Sequence, residues 1–281
     1  MPSVGPAIPV APAIPIASVI PIASVTPIAT AIQVADKPSQ KVQPATTEIN
    51  KPGVFISAVS TFKNGIAIAY SGSILNPISI YTFNNGKLEE IETKKTKDFI
   101  TKMSWSTNGD LAYTCSGTEC KEKTVYILSS KRNQYSLNHD FPVLDVSFNP
   151  LNNEQVATAG KGKMYVWEKD DGEYYIDKTY NCNVNIVKWR QDMLVATGEN
   201  TLYGCEAFGT CGFQKTMGNT VTSLACSGNF IAVGFNNGWI HMYNGLFNTS
   251  HPTWEQYHGE GKISQLAFTE NAFFLASAAE N

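Results

Sequence analysis

Chemistry in a chain like this one would fall to its histidines, cysteines and paired carboxylates, and their spacing decides what they can do. The histidines, His139, His241, His251 and His258, are scattered and form no motif. The six cysteines, at 115, 120, 182, 205, 211 and 226, include no C-x-x-C pair, so zinc is not supported. No G-x-S-x-G nucleophile elbow or phosphate-binding glycine loop occurs. Glu89/Glu90 and Asp170/Asp171 lie beside turn-forming residues and read as solvated. The residues thus nominate no catalytic, cofactor-binding or metal-binding set, and no cofactor is expected. Cys205 and Cys211 can face each other across a hairpin, but without a secretory signal the expectation is free thiols. Cys115, Cys182 and Cys226 fall in or beside strand positions, where cysteine acts as a small apolar residue. Asn248-Thr249-Ser250 fits a glycosylation sequon, which the same missing signal leaves unsupported.

The elements that would position any site are short strands. From Pro142 to Glu168 the chain holds three apolar-alternating segments, marked by Val143/Val146/Phe148, Val156/Ala157/Ala159 and Met164/Val166/Trp167. Asn-Pro and Gly-Lys-Gly separate them, and β-branched and aromatic runs bounded by such residues are strand signals. The first segment recurs as Ile100/Met103/Trp105, Val184/Val187/Trp189, Val221/Leu224/Cys226 and Ile263/Leu266/Phe268, with a weaker copy at Ile56/Val59/Thr61. Starts at 56, 100, 143, 184, 221 and 263 are 44, 43, 41, 37 and 42 residues apart, the period of propeller blades.

With these residues in view, the stretch from Gly53 to the C-terminus resembles the WD-repeat β-propeller family. The resemblance implies an all-β, WD-repeat-like propeller of about six blades. It also implies a buried set that pins a blade: a histidine ahead of the first strand, a Ser/Thr on the second, an Asp in the next turn and a Trp on the third. His139, Thr158 and Trp167 match, while the turn reads Gly160-Lys161-Gly162 where the family supplies Asp. His258 stands ahead of the last repeat in the equivalent place, and a blade-pinning role is expected for it too. In many such propellers the segment before the first blade closes the last one, and Thr46 to Ile49 is the candidate. The last repeat shows only two strands, Ile263 to Phe268 and Phe273 to Ala278, so the final blade is expected to be incomplete. The N-terminal segment folding back, a partner completing the blade in trans, or further blades beyond this sequence would each cover it. Scaffold propellers of vesicle coats and the nuclear pore accept a blade from a partner, and the likeness to them rests on architecture.

Residues 1–52 are a different object, a tail and linker ahead of a propeller domain over 53–281. Ten of the fourteen prolines lie there, and PIASVI, PIASVT and PIATAI follow one another from Pro15 to Ile32. A proline every sixth residue forbids a helix or a central strand and leaves extended conformation. The same prolines prevent a membrane span, although the first charged side chain is Asp36. This Pro/Ala/Ile/Val-rich tail reads either as disordered low-complexity chain or as a docking peptide.

The charge balance, 21 basic against 24 acidic residues, shows no concentrated basic face, so no nucleic acid is expected as a partner. Lys94, Lys95, Lys97 and Lys102 read as a solvated link between repeats. Trp105, Trp167 and Trp189 are assigned to the core. On the outer strands, one aromatic of each pair Tyr174/Tyr175 and Trp254/Tyr257 is expected at the surface, and all four are candidate partner contacts. Two functions of different class remain. The first is a non-catalytic protein-interaction scaffold within a larger assembly, cytoplasmic or peripheral to an endomembrane or the nuclear envelope, using disc faces, incomplete blade or tail. The second is an enzyme or nucleotide-exchange factor whose active loop is Ser116 to Lys123, the one long insertion.

Overall fold

Five of the six first segments share a defect that explains their spacing. The apolar residues recur at i, i+3 and i+5, whereas a regular strand repeats every two residues. A computed structural model of the chain describes residues 28–33 and 55–280, apart from short stretches at 63–64, 72–75, 85–86, 97–98, 117–121, 131–132, 192, 207–209, 245–250 and 269–273. In it the extra residue is a β-bulge. Ladder register shifts between Ile56 and Ala58, Ile100 and Lys102, Val143 and Asp145, Val221 and Ser223, and Ile263 and Gln265. The bulged residues are Ser57, Thr101, Leu144, Thr222 and Ser264, and most are hydroxylic for a reason. Ser57 Oγ donates to the Ala69 carbonyl (3.3 Å), Thr222 Oγ1 to Gly234 (3.2 Å) and Ser264 Oγ to Ala278 (3.2 Å), so the bulge gains a partner on the next strand.

In chain order, β1 is Ile28–Gln33. Blade one is β2 (Phe55–Phe62), β3 (Gly65–Ser71), β4 (Asn76–Asn84) and β5 (Lys87–Thr96). Blade two is β6 (Phe99–Trp105), β7 (Leu111–Ser116), β8 (Thr124–Leu128) and β9 (Gln134–Asn138). Blade three is β10 (Val143–Phe148), β11 (Gln155–Gly160), β12 (Lys163–Asp170) and β13 (Glu173–Tyr180). Blade four is β14 (Ile186–Arg190), β15 (Met193–Gly198), β16 (Thr201–Cys205) and β17 (Phe213–Thr216). Blade five is β18 (Val221–Ser227), β19 (Phe230–Phe235), β20 (Trp239–Asn244) and β21 (Trp254–Tyr257). Each of these five is an antiparallel four-stranded meander. The repeat at 263 supplies β22 (Ile263–Phe268) and β23 (Phe274–Ala279), which form a three-stranded sheet in the order β1-β23-β22. No helix occurs among the described residues. The architecture is therefore a β-propeller with five four-stranded blades, where the repeat count predicts about six.

Turn chemistry sets the meanders. Asp171 and Gly172 join β12 to β13 at φ of 46° and 88°, the positive pair that a tight I′ hairpin requires. Neighbouring blades pack through apolar clusters, such as Val125, Leu137, Val146, Phe148 and Trp167 between blades two and three. Val187, Trp189, Leu194 and Met164 fill the next seam, and Leu202, Val221, Ile231 and Phe235 the one after it. Polar links also tie neighbouring blades near the axis. Trp105 Nε1 donates to the Ser60 carbonyl of the preceding blade (3.2 Å), and Trp189 Nε1 does the same to Ser147 (3.0 Å), so two of the core tryptophans are inter-blade ties. Trp189 is buried and Trp105 half-buried, each with its N–H satisfied.

The closing sheet departs most from expectation. Thr46 to Ile49 lies outside the described residues, and the strand that pairs with the last repeat is Ile28–Gln33. This is the third copy of the six-residue unit. Its prolines stay outside the strand, and it occupies an edge, where proline-flanked segments are tolerated. The segment read as a tail thus contributes to the sheet.

Candidate functional site

Blade three gathers His139, Thr158 and Trp167 from the link before β10, from β11 and from β12. All three are buried. Trp167 Nε1 donates to Thr158 Oγ1 (3.0 Å), and Thr158 Oγ1 lies 2.8 Å from His139 Nε2. His139 Nδ1 is 3.2 Å from the Lys123 carbonyl. A carbonyl only accepts, so Nδ1 carries the proton, Nε2 accepts from the threonine hydroxyl, and every group in the chain is satisfied. This tautomer requires a neutral ring. Burial supplies it by pushing the imidazole down to about 4.

The surroundings lock the ring. Phe141 meets it edge-on (5.2 Å), Tyr165 stacks on it (5.7 Å) and Trp167 closes the third side (5.0 Å). Gly160 is required there, since a Cβ would stand 2.2 Å from the Phe141 ring. Asp140 next to the histidine accepts from Tyr165 Oη (2.7 Å) and pairs with Lys163, and these partners hold its carboxyl down to about 2. Motif reading overlooked Asp140, because it looked for an acid in the turn after β11 and found Gly160-Lys161-Gly162. His258 is placed differently. Its backbone N–H donates to Gly238 (2.9 Å), while its ring Nε2 is buried without a partner.

The four rim aromatics divide by strand alternation. Tyr174 turns inward, edge-on to Tyr135 (5.5 Å) with Lys169 Nζ over both rings, and Trp254 is half-buried against blade five and the closing sheet. Tyr175 (49% exposed) and Tyr257 (45% exposed) face solvent. Two neighbours escaped the sequence reading. Ile176 is exposed beside Tyr175, and Trp239 (38% exposed) lies opposite Tyr257 in the ladder, the rings 5.4 Å apart. The signal for Trp239 was its place directly after the Asn236-Asn237-Gly238 turn, at the end of a strand.

Around the axis, Ser57, Lys102, Asp145, Lys188, Thr222 and Gln265 help line a cavity of about 70 Å³. Asp145 is buried there. Its Oδ2 accepts from Lys188 Nζ (2.8 Å) and from the Val187 backbone N–H (3.0 Å), tying blade three to blade four. Most of the Ser116 to Lys123 loop, and the sequon Asn248 to Ser250, lie outside the described residues.

Cys205 and Cys211 correct the expectation of free thiols: they form a disulfide across the β16–β17 hairpin. Cys115 is disulfide-bonded as well. Cys182 and Cys226 are free, with burial pushing their thiols up to about 11 and about 12.

No helix among the described residues is long and apolar enough to cross a membrane. Compared with protein-family models and with curated proteins, the sequence matches none. Geometry alone therefore carries the functional reading.

Proposed function

We propose that this propeller is a non-catalytic scaffold that holds other proteins together within a cytoplasmic assembly. The observation that carries the reading is the Trp239–Tyr257 pair, two large aromatic rings in contact with one another and open to solvent on the rim of blade five. Aromatics of this kind anchor protein interfaces, because they bring large apolar area with little rotamer freedom to lose. Tyr175 and Ile176 on β13 form a second such patch. The axial cavity adds support from the other side, since about 70 Å³ is far below the roughly 300 Å³ at which small-molecule pockets begin.

Within the propeller class the WD-repeat type fits best, because the His139–Thr158–Trp167 chain links the three residue types expected of it in one blade. The count is then six, with the closing sheet as an incomplete last blade. Partners are proteins, reached through the rim patches, the closing sheet or the proline-rich segment. Attachment to an endomembrane or the nuclear envelope would come through such a partner.

The test is gentle affinity purification from the source cell, with cross-linking and mass spectrometry, of the wild-type chain and of Trp239→Ser/Tyr257→Ser. The expected result is a partner held in constant stoichiometry and cross-linked to Lys262, which is lost from the double variant while the fold is kept. An unchanged partner set in the double variant would refute the rim reading. Alanine replacement over Thr118 to Lys123 that abolished a catalytic rate without loosening any complex would favour the enzyme or exchange-factor class instead.

A further inference from the structure

Three cysteines meet where blade three passes into blade four. Cys205 ends β16, Cys211 lies just before β17, and Cys182 sits on the link between β13 and β14. The Cys205–Cys211 disulfide closes its hairpin over a separation of six residues. Cys182 is a free thiol, and its Sγ stands 3.9 Å from Cys211 Sγ. An oxidised Cys211 carries no proton, so the Cys182 S–H is the donor of that contact.

Burial distinguishes the three sulfurs. Cys182 and Cys211 are half-buried at the margin of the apolar cluster between the two blades, while Cys205 is buried within it. The two segments are also held together without sulfur. Tyr180 Oη, two residues before Cys182, donates to the carbonyl of Glu206, the neighbour of Cys205 (3.0 Å). A free thiol held against one sulfur of a disulfide is the arrangement from which thiol–disulfide exchange begins.

We propose that Cys182, Cys211 and Cys205 form an internal thiol–disulfide exchange site, in which Cys211 passes its bond from Cys205 to Cys182. A lone pair of the Cys182 thiolate forms the new Cys182–Cys211 bond. The electron pair of the broken Cys205–Cys211 bond leaves on Cys205 Sγ, which takes up a proton from solvent in place of the one Cys182 gave up. One thiol and one disulfide become one thiol and one disulfide, so no oxidant or reductant is consumed. What changes is the span of the bond. The first staples a hairpin within blade four, and the second ties the exit of blade three to that hairpin, across a separation of 29 residues.

The surroundings set the pace of the exchange. Tyr180 and Tyr203 are the titratable side chains packed there beside the disulfide, and no charged group adds to the effect of burial, which alone pushes the Cys182 thiol up to about 11. The attacking thiolate is scarce at pH 7, and its share grows about tenfold with each pH unit.

The test incubates the wild-type chain at pH 7, 8 and 9, quenches with acid, alkylates, and maps disulfides by mass spectrometry without reduction. Cleavage at Lys188 and Arg190 separates Cys182 from the other two, and cleavage after Glu206 separates Cys205 from Cys211. The expected result is a Cys182–Cys211 pair that accumulates with an equal amount of alkylated Cys205, at an initial rate rising roughly a hundredfold from pH 7 to pH 9. Cys182→Ser is expected to leave Cys205–Cys211 in place at every pH. Cys182 fully alkylated in the wild type at every pH would overturn the proposal. Bonds to Cys226, or Cys182–Cys205 pairs in comparable yield, would overturn it equally, because they require an unfolded chain. In Cys205→Ser, oxidised glutathione is expected to drive Cys211 into a bond with Cys182, and a Cys211–glutathione adduct that Cys182 never resolves would overturn it as well.

Discussion

In blade three the residue opposite Val146 is Thr158, whose hydroxyl joins a tryptophan and a histidine into one buried chain. At the same register position in the closing sheet, opposite Leu266, stands Ser277, and the histidine ahead of that sheet, His258, keeps a buried Nε2 without a partner. The remaining blades hold Ile68, Tyr113, Ala196 and Val233 at this position and are held by apolar packing. Blade three is also packed on both sides, against blade two and blade four, whereas the described apolar cluster of the closing sheet lies toward blade five. A polar pin therefore needs three residue types delivered by three elements at once. Where one is missing, the blade relies on its neighbours, and a sheet that shows one packed neighbour and three strands among the described residues is the natural weak point of the propeller.

The comparison is broken most forcefully at its strong end. Thr158→Val changes blade three to what blade five already has at Val233, so the shape is tolerated by the fold. It leaves the Trp167 N–H without an acceptor and His139 Nε2 without a donor, at about 1–3 kcal/mol for each orphaned group. Denaturant unfolding should show a loss of about 2–5 kcal/mol at unchanged slope. Converting the whole set with His139→Leu, Thr158→Val and Trp167→Phe, the last keeping an aromatic ring but no polar atom, should recover much of it, since replacing all partners leaves no orphan. A triple variant no better than the single would mean that packing, not the hydrogen-bonded chain, holds the blade.

Acid sharpens the same contrast. His139 is pushed by burial from 6.5 to about 4, against the opposing pull of the Lys123 and Leu137 carbonyls and of Asp140. The unfolded chain binds this proton readily while the folded chain resists it. Stability from the group is whole above about pH 6.5, falls as pH drops and levels off below about pH 4, for a total of about 3 kcal/mol. Asp140, held down to about 2, stays ionised across that window, and the half-buried His241, lowered mainly by desolvation, adds a weaker slope of the same sign. Stability measured from pH 7 to pH 4 should fall less steeply in His139→Leu than in the wild type. Equal slopes would remove His139 as the acid-sensitive group.

Much of this architecture is written in spacing. The i, i+3, i+5 pattern of Ile100, Met103 and Trp105 is a bulged innermost strand spelled out, and the Asn-Asn-Gly before Trp239 marks its hairpin. The histidine, threonine and tryptophan of blade three could be named because a pin needs particular side-chain chemistry. Other features depend on pairing at long range, which no local pattern records. Asp140 serves in place of the missing turn acid only because Tyr165 and Lys163 lie beside it. Trp239 becomes part of a surface through its register with Tyr257. β1 was hidden by its prolines, which rule out a central strand yet leave a proline-free run of six, enough for an edge. The hairpin spacing brings Cys205 and Cys211 face to face, and it is this geometry, not the absence of a secretory signal, that decides their bond.

The smallest effect is expected at the weak end. Removing residues 1–35 takes away β1 and exposes the edge of β23. What is lost among the described residues is the edge ladder of β1 along β23, whose cross-strand positions contribute roughly 0.2–1 kcal/mol each. Global stability should fall by only about 1–2 kcal/mol. Locally the change is larger, because amides of 274–279 lose the strand that shields them, while those of 155–160 and 163–168 in blade three keep their protection. Hydrogen exchange on the truncated and full chains reads both at once. If the truncation instead lowered stability as far as Thr158→Val does, or loosened β11 and β12 along with β23, the ring would unfold as one unit and the closing sheet would not be its separable part. A confined loss places the boundary of cooperative unfolding between blade five and the closing sheet, where Ile263, Leu266 and Leu275 are the described residues that bridge to Ala232 and Ile240.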